Sequence, residues 1–548
     1  MSQQVEDFNT PVAIVGAGPV GLALAIDLAH RGIPFIQIDR ADSALDFPTS
    51  EAIFVRTMEH FRRWGMADAI RFAGFPPDLK RNVYFMTRIL GHELLRMDRP
   101  SNREQQQSMR ELSPEGALWC PKKLFEPLMR QRVQAAPKGQ LWTGWELTGF
   151  SQDEAGASLE LQHTKTGAKR RLRCQYLAAC DGASSGIRKA LGIEMQGTFA
   201  EGHNFGIYFR SAQLREIMRD RPGVMVDIMN PEAFANLSTV DGNDLWRLIR
   251  MMGPADASRL TPQDCLRSAL GQTPDGKDVA VEIIDARPWA GHTVVADDFR
   301  AGRVFLVGDA AHLLWPRGGF GMNTGIGDAV DLAWKLQAML EGWGGPKLLD
   351  SYTPERKPIA ARNVAEAASN YKAQMALKVD PALDKDGPAG EAARGALAEI
   401  IREKRAKEWN TVGVQLGYVY EGSPVIASEP PVHDPRPFDP GRYEPTTRPG
   451  ARAPHGWLAD GASLLDHYGA GFVLVHAPDA DPGSLLAAAS AVAGAAGMPL
   501  RALALQDAGL RKLYEAPLVL VRPDGHVAWR GNALPKDARE VLDHARGA

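Results

Sequence analysis

Four cysteines, Cys120, Cys174, Cys180 and Cys265, are scattered through 548 residues without a CxxC pair. That excludes a disulfide framework and a cysteine zinc site, leaves no metal centre to expect, and points to a reducing cytoplasm. Long hydrophobic runs are missing as well: the most Ala-rich stretch, Leu485 to Met498, has 14 residues, short of the roughly 20 needed to cross a bilayer. No basic n-region precedes the first apolar run, since MSQQVEDFNT carries acids instead, so an export signal is not expected. Neither sign of charge dominates. With 63 Lys and Arg against 66 Asp and Glu, the net charge is -3, which gives no global case for nucleic acid or anionic lipid and leaves small molecules as the expected partners. No repeat recurs at a fixed period.

What is present is ordinary globular composition, 44% hydrophobic and 24% charged, in a chain of 548 residues. Such a length exceeds what one hydrophobic core supports, so two or three domains are expected. The first forty residues read as a βαβ unit: the strand Val12 to Val15, a glycine turn, the helical run LALAIDLAHRG, and an alternating strand Ile33 to Ile38 that ends in Asp39. Residues 145–180 read as a meander (WELTGF, ASLELQH, RLRCQYLAAC). From about 195 to 290, strand-like pieces NFGIYFR, GVMVDIM and LWRLIR alternate with Pro and Gly turns, as in an antiparallel sheet. Arg303 to Val307 is another β-branched strand, running into GDAAH, and Gly327 to Leu340 has helical spacing, so the chain returns to its first domain. Residues 425–455, dense in Pro, Asp and Arg, read as a linker. A small α/β unit then begins near Gly456, with strands GFVLVH, LRALAL, APLVLVRPD and HVAWRG, a helix SLLAAASAVAGAA and a final helix.

The glycine turn is Gly16-Ala17-Gly18-Pro19-Val20-Gly21, directly after a strand and opening a helix. Gly16 permits the tight turn, Gly18 lets the backbone approach a pyrophosphate, and Gly21 lets helix and strand pack closely. Asp39, 18 residues past Gly21, is placed to accept hydrogen bonds from a ribose diol. NAD and FAD both satisfy this fingerprint, so it alone does not choose between them.

Two later segments carry a resemblance. Cys180-Asp181-Gly182-Ala183-Ser184-Ser185-Gly186-Ile187-Arg188 resembles the DGxxSxxR motif of the class A flavoprotein monooxygenases, the single-component aromatic hydroxylases. Arg303 to His312, with Pro316 and Gly318-Gly319-Phe320-Gly321-Met322-Asn323, is similar to their second FAD motif, and Tyr352, Glu355, Arg356 and Pro358 fit the YxxERxP stretch that follows. On this reading Gly308 ends a strand where Asp309 binds a ribose or ribityl hydroxyl, and backbone donors from Gly319 to Asn323 hold the flavin pyrimidine edge. The resemblance places Asp181 near the cofactors, with Arg188 as a phosphate donor, against a helix-cap reading of Asp181 or Ser185. Glu355 and Arg356 are expected to form a structural ion pair, and His312 to belong to the fold. The chain departs from the family pattern at Phe47-Pro48-Thr49-Ser50, where relatives carry an Arg, and at Lys122, where they carry a Gln.

The fold class implied is α/β plus α+β: a discontinuous Rossmann-like FAD domain (1–80, 105–194, 295–380), an inserted antiparallel-sheet substrate domain (81–104, 195–294), a helical segment and linker (381–455), and a thioredoxin-like tail (456–548). That tail holds no cysteine, so thiol chemistry there is excluded and stabilisation or dimerisation is its expected role. The implied activity is hydroxylation of a phenolic or catecholic ring through a flavin C4a-hydroperoxide, with FAD, O2 and transient NADH or NADPH, and with release of a substituent such as nitro as a variant. Candidates for the substrate pocket are Tyr208, Arg210, Met225, Trp246, Arg247 and Trp289, which combine aromatic walls with donors on strand-like pieces. His292 and His203 are weaker candidates. Competing readings are another flavoenzyme of this fold, such as a biosynthetic polyketide or indole-type oxygenase, a non-catalytic FAD-binding protein, and an NAD-dependent dehydrogenase. A halogenase is disfavoured by the absence of a WxWxIP segment.

Overall fold

The computed structural model describes residues 5–43, 47–253, 259–429, 438–491 and 497–548. Part of the expected linker, 430–437, and the end of the expected Ala-rich helix, 492–496, lie outside the described residues.

The strand Glu6–Val15 is flanked by parallel strands on both sides, Lys169–Ala179 and Phe35–Asp39. Helices cover both faces of such a sheet, and Val12, Ala13 and Ile14 are accordingly fully buried. Among the described residues the parallel core runs Val304–Leu306, Lys169–Ala179, Glu6–Val15, Phe35–Asp39, Gly139–Thr143. The strands Trp145–Asp153 and Gly156–His163 lead antiparallel into Lys169–Ala179. The meander expected at 145–180 therefore ends as a central strand of the main sheet.

A second sheet runs in the order His312–Leu313, Glu282–Ala296, Met195–Arg210, Leu245–Met252, Ala233–Thr239, Met225–Asn230, Val83–Met86, Glu93–Met97. Only the pairing of Met225–Asn230 with Val83–Met86 is parallel among the described pairs. This sheet is larger than the three strand-like pieces suggested. Trp289 lies on Glu282–Ala296, and the hairpin Val83–Met97 adds its other edge. One face packs on Leu214, Cys265 and Leu266 of the covering helices. The other faces the first unit.

The tail forms a four-stranded sheet in the order Leu500–Ala504, Phe472–His476, Leu518–Val521, Val527–Gly531. It is docked tightly on the rest of the molecule. Phe472, Leu485, Val541 and Leu542 share one buried cluster with Trp334 of the helix Phe320–Leu340 and Trp343 of the turn after it. Nor does 447–455 behave as a free linker: Thr447, Arg452, Ala453 and His455 are buried, and Arg452 pairs with Glu59, whose carboxyl is held at about 2 because Arg452 and Arg56 outweigh the opposing effect of burial.

Glu355 and Arg356 are buried and ion-paired, though not to each other. Glu355 holds Lys335 at 2.8 Å and Arg522 at 2.7 Å, while Arg356 holds Asp328 at 2.7 Å. His312 meets Asp328 through Nε2 at 2.8 Å, and Asp328 also accepts the Gly308 N–H. These groups hold the strand end at 304–308 to the helix Phe320–Leu340, so His312 is a structural histidine.

Candidate active site

One cavity of about 730 Å³ lies between the parallel sheet and the second sheet. Two helices begin at it. The first, Pro19–His30, starts from Gly18 without a side-chain cap and without an acid in its first turn. The second, Phe320–Leu340, starts from Gly319 in the same condition. A helix start leaves N–H donors without intrahelical partners and carries positive partial charge, so two such ends on one cavity form a seat for an extended, anionic ligand. Added β-carbons on Gly18 and Gly321 would meet nothing within 4 Å, whereas one on Gly16 would lie 2.2 Å from the Cys180 carbonyl oxygen. The first pair leaves room for a ligand backbone, and Gly16 lets strand and turn close beneath it.

Of the residues expected to hold FAD, Gly18, Pro19, Gly21, Lys122, Asp309, Pro316, Gly319, Gly321 and Met322 line this cavity. Asp309 opens onto it, and desolvation by the protein packed around the cavity raises its pKa against the lowering effect of His312 and Lys122. The segments 49–53 and 118–122 reach the same place because Ala52–Ile53 pairs antiparallel with Leu118–Trp119 and the Lys122 N–H donates to the Ser50 carbonyl at 2.8 Å. Lys122 sits 3.4 Å from Glu126, so its charge is partly offset. Dinucleotide and flavin chemistry fit this donor set.

The remaining expected residues stand behind the wall. Asp39 Oδ2 accepts the Ala17 N–H at 2.6 Å, bracing the glycine turn from outside the cavity. Asn323 accepts from the Phe54 N–H at 2.9 Å and from the Thr57 hydroxyl at 2.7 Å, and donates to the Gly319 carbonyl at 2.7 Å, so its side chain clamps the loop. Arg188 is buried, and its Nη1 donates to the carbonyls of Ala183 and Ala310, 3.5 and 3.2 Å away. Asp181 accepts from the Ile187 N–H and Ser185 caps the short helix Gly186–Ala190, which is the helix-cap arrangement. Gly308, at φ +64°, gives its N–H to Asp328.

The period of two along the strands divides the substrate candidates. Arg247, Ile249 and Met251 face the cavity, while Trp246 and Leu248 face the opposite core. Met225 and Trp289 also line the cavity. Tyr208 does not: it is 1% exposed and takes a hydrogen bond from Lys123 at 3.0 Å. Arg210 is at the surface, paired with Asp244 at 2.6 Å. Three of the six candidates are therefore assembled and three are not. His292 accepts the Ala200 N–H at 3.1 Å, and neither it nor His203 lines the cavity.

Sequence reasoning missed several wall residues. Trp315, inside the second motif, stacks on Tyr371 at 3.7 Å and meets Trp289 edge-on at 5.9 Å, and its place in GDAAHLLWP was an available signal. Arg81, Arg99, Arg317 and Glu408–Val412 also line the cavity, the last from a stretch read only as a helical segment. Glu51 pairs with Arg247 at 2.5 Å and ties the segment before Ala52–Ile53 to the strand Leu245–Met252. Asp309→Ala should leave folding intact and weaken FAD retention about tenfold, the scale of one hydrogen bond to a charged acceptor, measured by flavin release on dialysis.

Two uncapped helix ends, an acid at a strand terminus and an aromatic wall on one cavity suit an extended anionic ligand beside a flat apolar one. Residues 9–367 match the family model described as FAD binding domain, and residues 446–548 match the one described as aromatic-ring hydroxylase, C-terminal. The chain belongs to this family of FAD-dependent aromatic-ring monooxygenases. It is 32% identical to a tetracenomycin B2 monooxygenase-dioxygenase of Streptomyces olivaceus, covering 98% of each chain. It is 30% identical to a 4-methyl-5-nitrocatechol 5-monooxygenase of Burkholderia sp, again over 98% of each. Among solved structures, the rebeccamycin biosynthetic enzyme RebC with reduced flavin superposes with a TM-score of 0.90 at 38% identity, covering 99% of both chains. Among the described residues, no helix is long and apolar enough to cross a membrane.

Proposed function

We propose that the chain hydroxylates an electron-rich, phenolic, multi-ring aromatic substrate, using NADH or NADPH and O2. The observation carrying this reading is the continuity of one cavity from the two glycine-started helices to the wall of Trp289, Trp315, Ile249 and Met251. Bound FAD supplies the redox chemistry, activation of O2 at the expense of a nicotinamide nucleotide. The helix starts and Asp309 would anchor its phosphates and hydroxyls, and the Gly319–Met322 backbone would hold the ring system. Trp289 and Trp315 present flat apolar faces that orient an aromatic ring and exclude water.

No histidine among the described residues lines the cavity. Ionisation of a phenol there would be favoured by donors and cations rather than by an imidazole base. Arg247, whose Nη1 also donates to the Pro48 carbonyl at 3.2 Å, stands closest to that task on the substrate sheet. The nitrocatechol relative motivates a second outcome in the same assay, release of nitrite.

The test is purification of the yellow protein followed by NADH and NADPH oxidation with phenols, catechols, nitrocatechols and polycyclic phenols, with product masses. The expected result is substrate-stimulated oxidation and a product heavier by one oxygen. A flavin-bearing protein that consumes no reductant with any ring would leave a binding function and end this reading.

A further inference from the structure

The cavity wall carries five cations whose surroundings differ. Lys122, Arg247 and Arg317 each have a carboxylate within ion-pair distance: Glu126 at 3.4 Å, Glu51 at 2.5 Å and Asp227 at 3.5 Å. Arg81 and Arg99 have none among the described residues. The acids nearest them in sequence are committed elsewhere, Asp78 to Arg103 at 2.7 Å, Asp98 to Arg96 at 2.9 Å and Glu104 to Lys80 at 2.5 Å.

Arg81 is nevertheless held firmly. Nε donates to the Pro100 carbonyl at 2.8 Å, Nη1 to the Ala117 carbonyl at 3.1 Å and Nη2 to the Gln105 side-chain oxygen at 2.8 Å. All three partners are neutral, so they fix the guanidinium without cancelling its charge. They also leave one N–H on each terminal nitrogen free to donate to an anion. Burial pushes Arg81 down to about 10, with Arg99 adding like-charge repulsion, and burial lowers Arg99 too. Two neighbouring cations facing a cavity without a counter-ion are costly in the free protein, and that cost is relieved by an anion brought in with a ligand.

We propose that Arg81 and Arg99 are the docking point for a carboxylate on the aromatic substrate, so that the enzyme's substrate is an aromatic acid. This rests on the hydroxylase reading above. The acid is distinct from the ring position oxidised. It anchors one end of the molecule through the 81–119 segments while the aromatic wall holds the rings. The other source of such an anion is a phosphate of the nicotinamide nucleotide.

The experiment uses the FAD-loaded protein. Wild type, Arg99→Gln and Arg81→Gln are titrated with hydroxybenzoic, hydroxynaphthoic and hydroxyanthraquinone carboxylic acids and with the matching primary amides, following the flavin absorbance band. Wild type should prefer at least one acid over its amide by about tenfold or more, and Arg99→Gln should abolish most of that preference while leaving amide affinity unchanged, as expected for loss of a charge-assisted contact. The Arg99 guanidinium makes no hydrogen bond among the described residues, only its backbone N–H donating to Asn82, so Arg99→Gln serves if Arg81→Gln folds poorly. Arg99→Lys should keep part of the preference.

Three results overturn the proposal: no acid preferred in any pair, including no binding at all; equal weakening of acid and amide; or an increased KM for NADPH with the acid preference intact, which assigns the cations to the nucleotide phosphate. Failure of the hydroxylase reading looks different, since it appears in wild type as no oxygen insertion with any ring.

Discussion

A Gly16→Ala variant should purify colourless, with FAD affinity weakened by about a hundredfold or more, roughly 2.7 kcal/mol. Gly16 sits at φ +108°, where an L-side chain is strained by about 1–3 kcal/mol. Its new β-carbon would also lie 2.2 Å from the Cys180 carbonyl oxygen, a backbone atom that cannot turn aside. Relief requires the end of strand Lys169–Ala179 to separate from the turn, and the turn carries the start of the helix Pro19–His30. Gly18→Ala is the informative contrast. Its β-carbon meets nothing within 4 Å, so the urea midpoint should match wild type while FAD affinity still falls, because the methyl enters the space a pyrophosphate needs. Flavin-to-protein absorbance after dialysis and FAD titration of the stripped protein measure both. A Gly16→Ala protein that stays fully yellow would refute the seat described here.

The strand-turn-helix at residues 12–30 and the strand ending in GDAAH were legible because glycine spacing and β-branched runs act locally. Which polar side chains of those motifs meet the ligand was not legible. Asp39, Asn323 and Arg188 have the chemistry a ligand needs, and each also bonds the protein's own backbone, at Ala17, at Phe54 and Gly319, and at Ala310. A motif records what the turn needs as well as what the ligand needs, and sequence alone does not separate the two.

Substrate-side residues failed for a different reason. Alternation along LWRLIR fixes that Trp246 and Arg247 face opposite ways but not which of them faces the cofactor. That phase is set by the helices on Leu214 and Cys265, which claim the even-numbered side chains of this strand. Arg81 and Arg99 reach the cavity from irregular backbone and Glu408–Val412 from the junction of two short helices, all remote in sequence from the motifs. No periodic signal exists for such residues. The tail was legible as a unit, since its strands are apolar runs bounded by turns, but its attachment was not.

That attachment yields the second large effect: Arg522→Ala should destabilise the protein by about 3–5 kcal/mol, the scale of removing one partner from a buried ion pair. Arg522 is completely buried, meeting Glu355 at 2.7 Å, Asp331 at 3.0 Å and Asp524 at 2.6 Å, with Lys335 as the other cation of the group. Its removal leaves Glu355 and Asp331 with Lys335 as their one cation and Asp524 with His526 beside it. Burial, together with the neighbouring Glu355, already raises Asp331 despite Lys335 and Arg522, whereas Arg522 and Lys335 hold Glu355 low against its burial; loss of Arg522 would raise Asp331 further and lift Glu355 from its depressed value. An acid whose folded pKa exceeds its unfolded value near 4 contributes stability at low pH that is lost as pH rises through the folded pKa. The variant's urea midpoint should therefore fall between about pH 4 and 7 more steeply than that of wild type. Because Arg522 lies on the tail and Glu355 and Asp331 on the FAD-binding unit, protease cleavage near 438–456 should accompany the loss, with Phe472 and Leu485 coming away from Trp334 and Trp343. The FAD seat shares none of these groups, so flavin should be retained until the tail detaches. An unchanged midpoint would show that the cluster is neutral in the folding balance, as some buried ion pairs are. Replacing Arg522, Lys335, Glu355 and Asp331 together by Met, Met, Gln and Asn then distinguishes a costly unpaired charge from lost packing, since only in the first case does the quadruple variant, which leaves none of these four groups unpaired, recover stability.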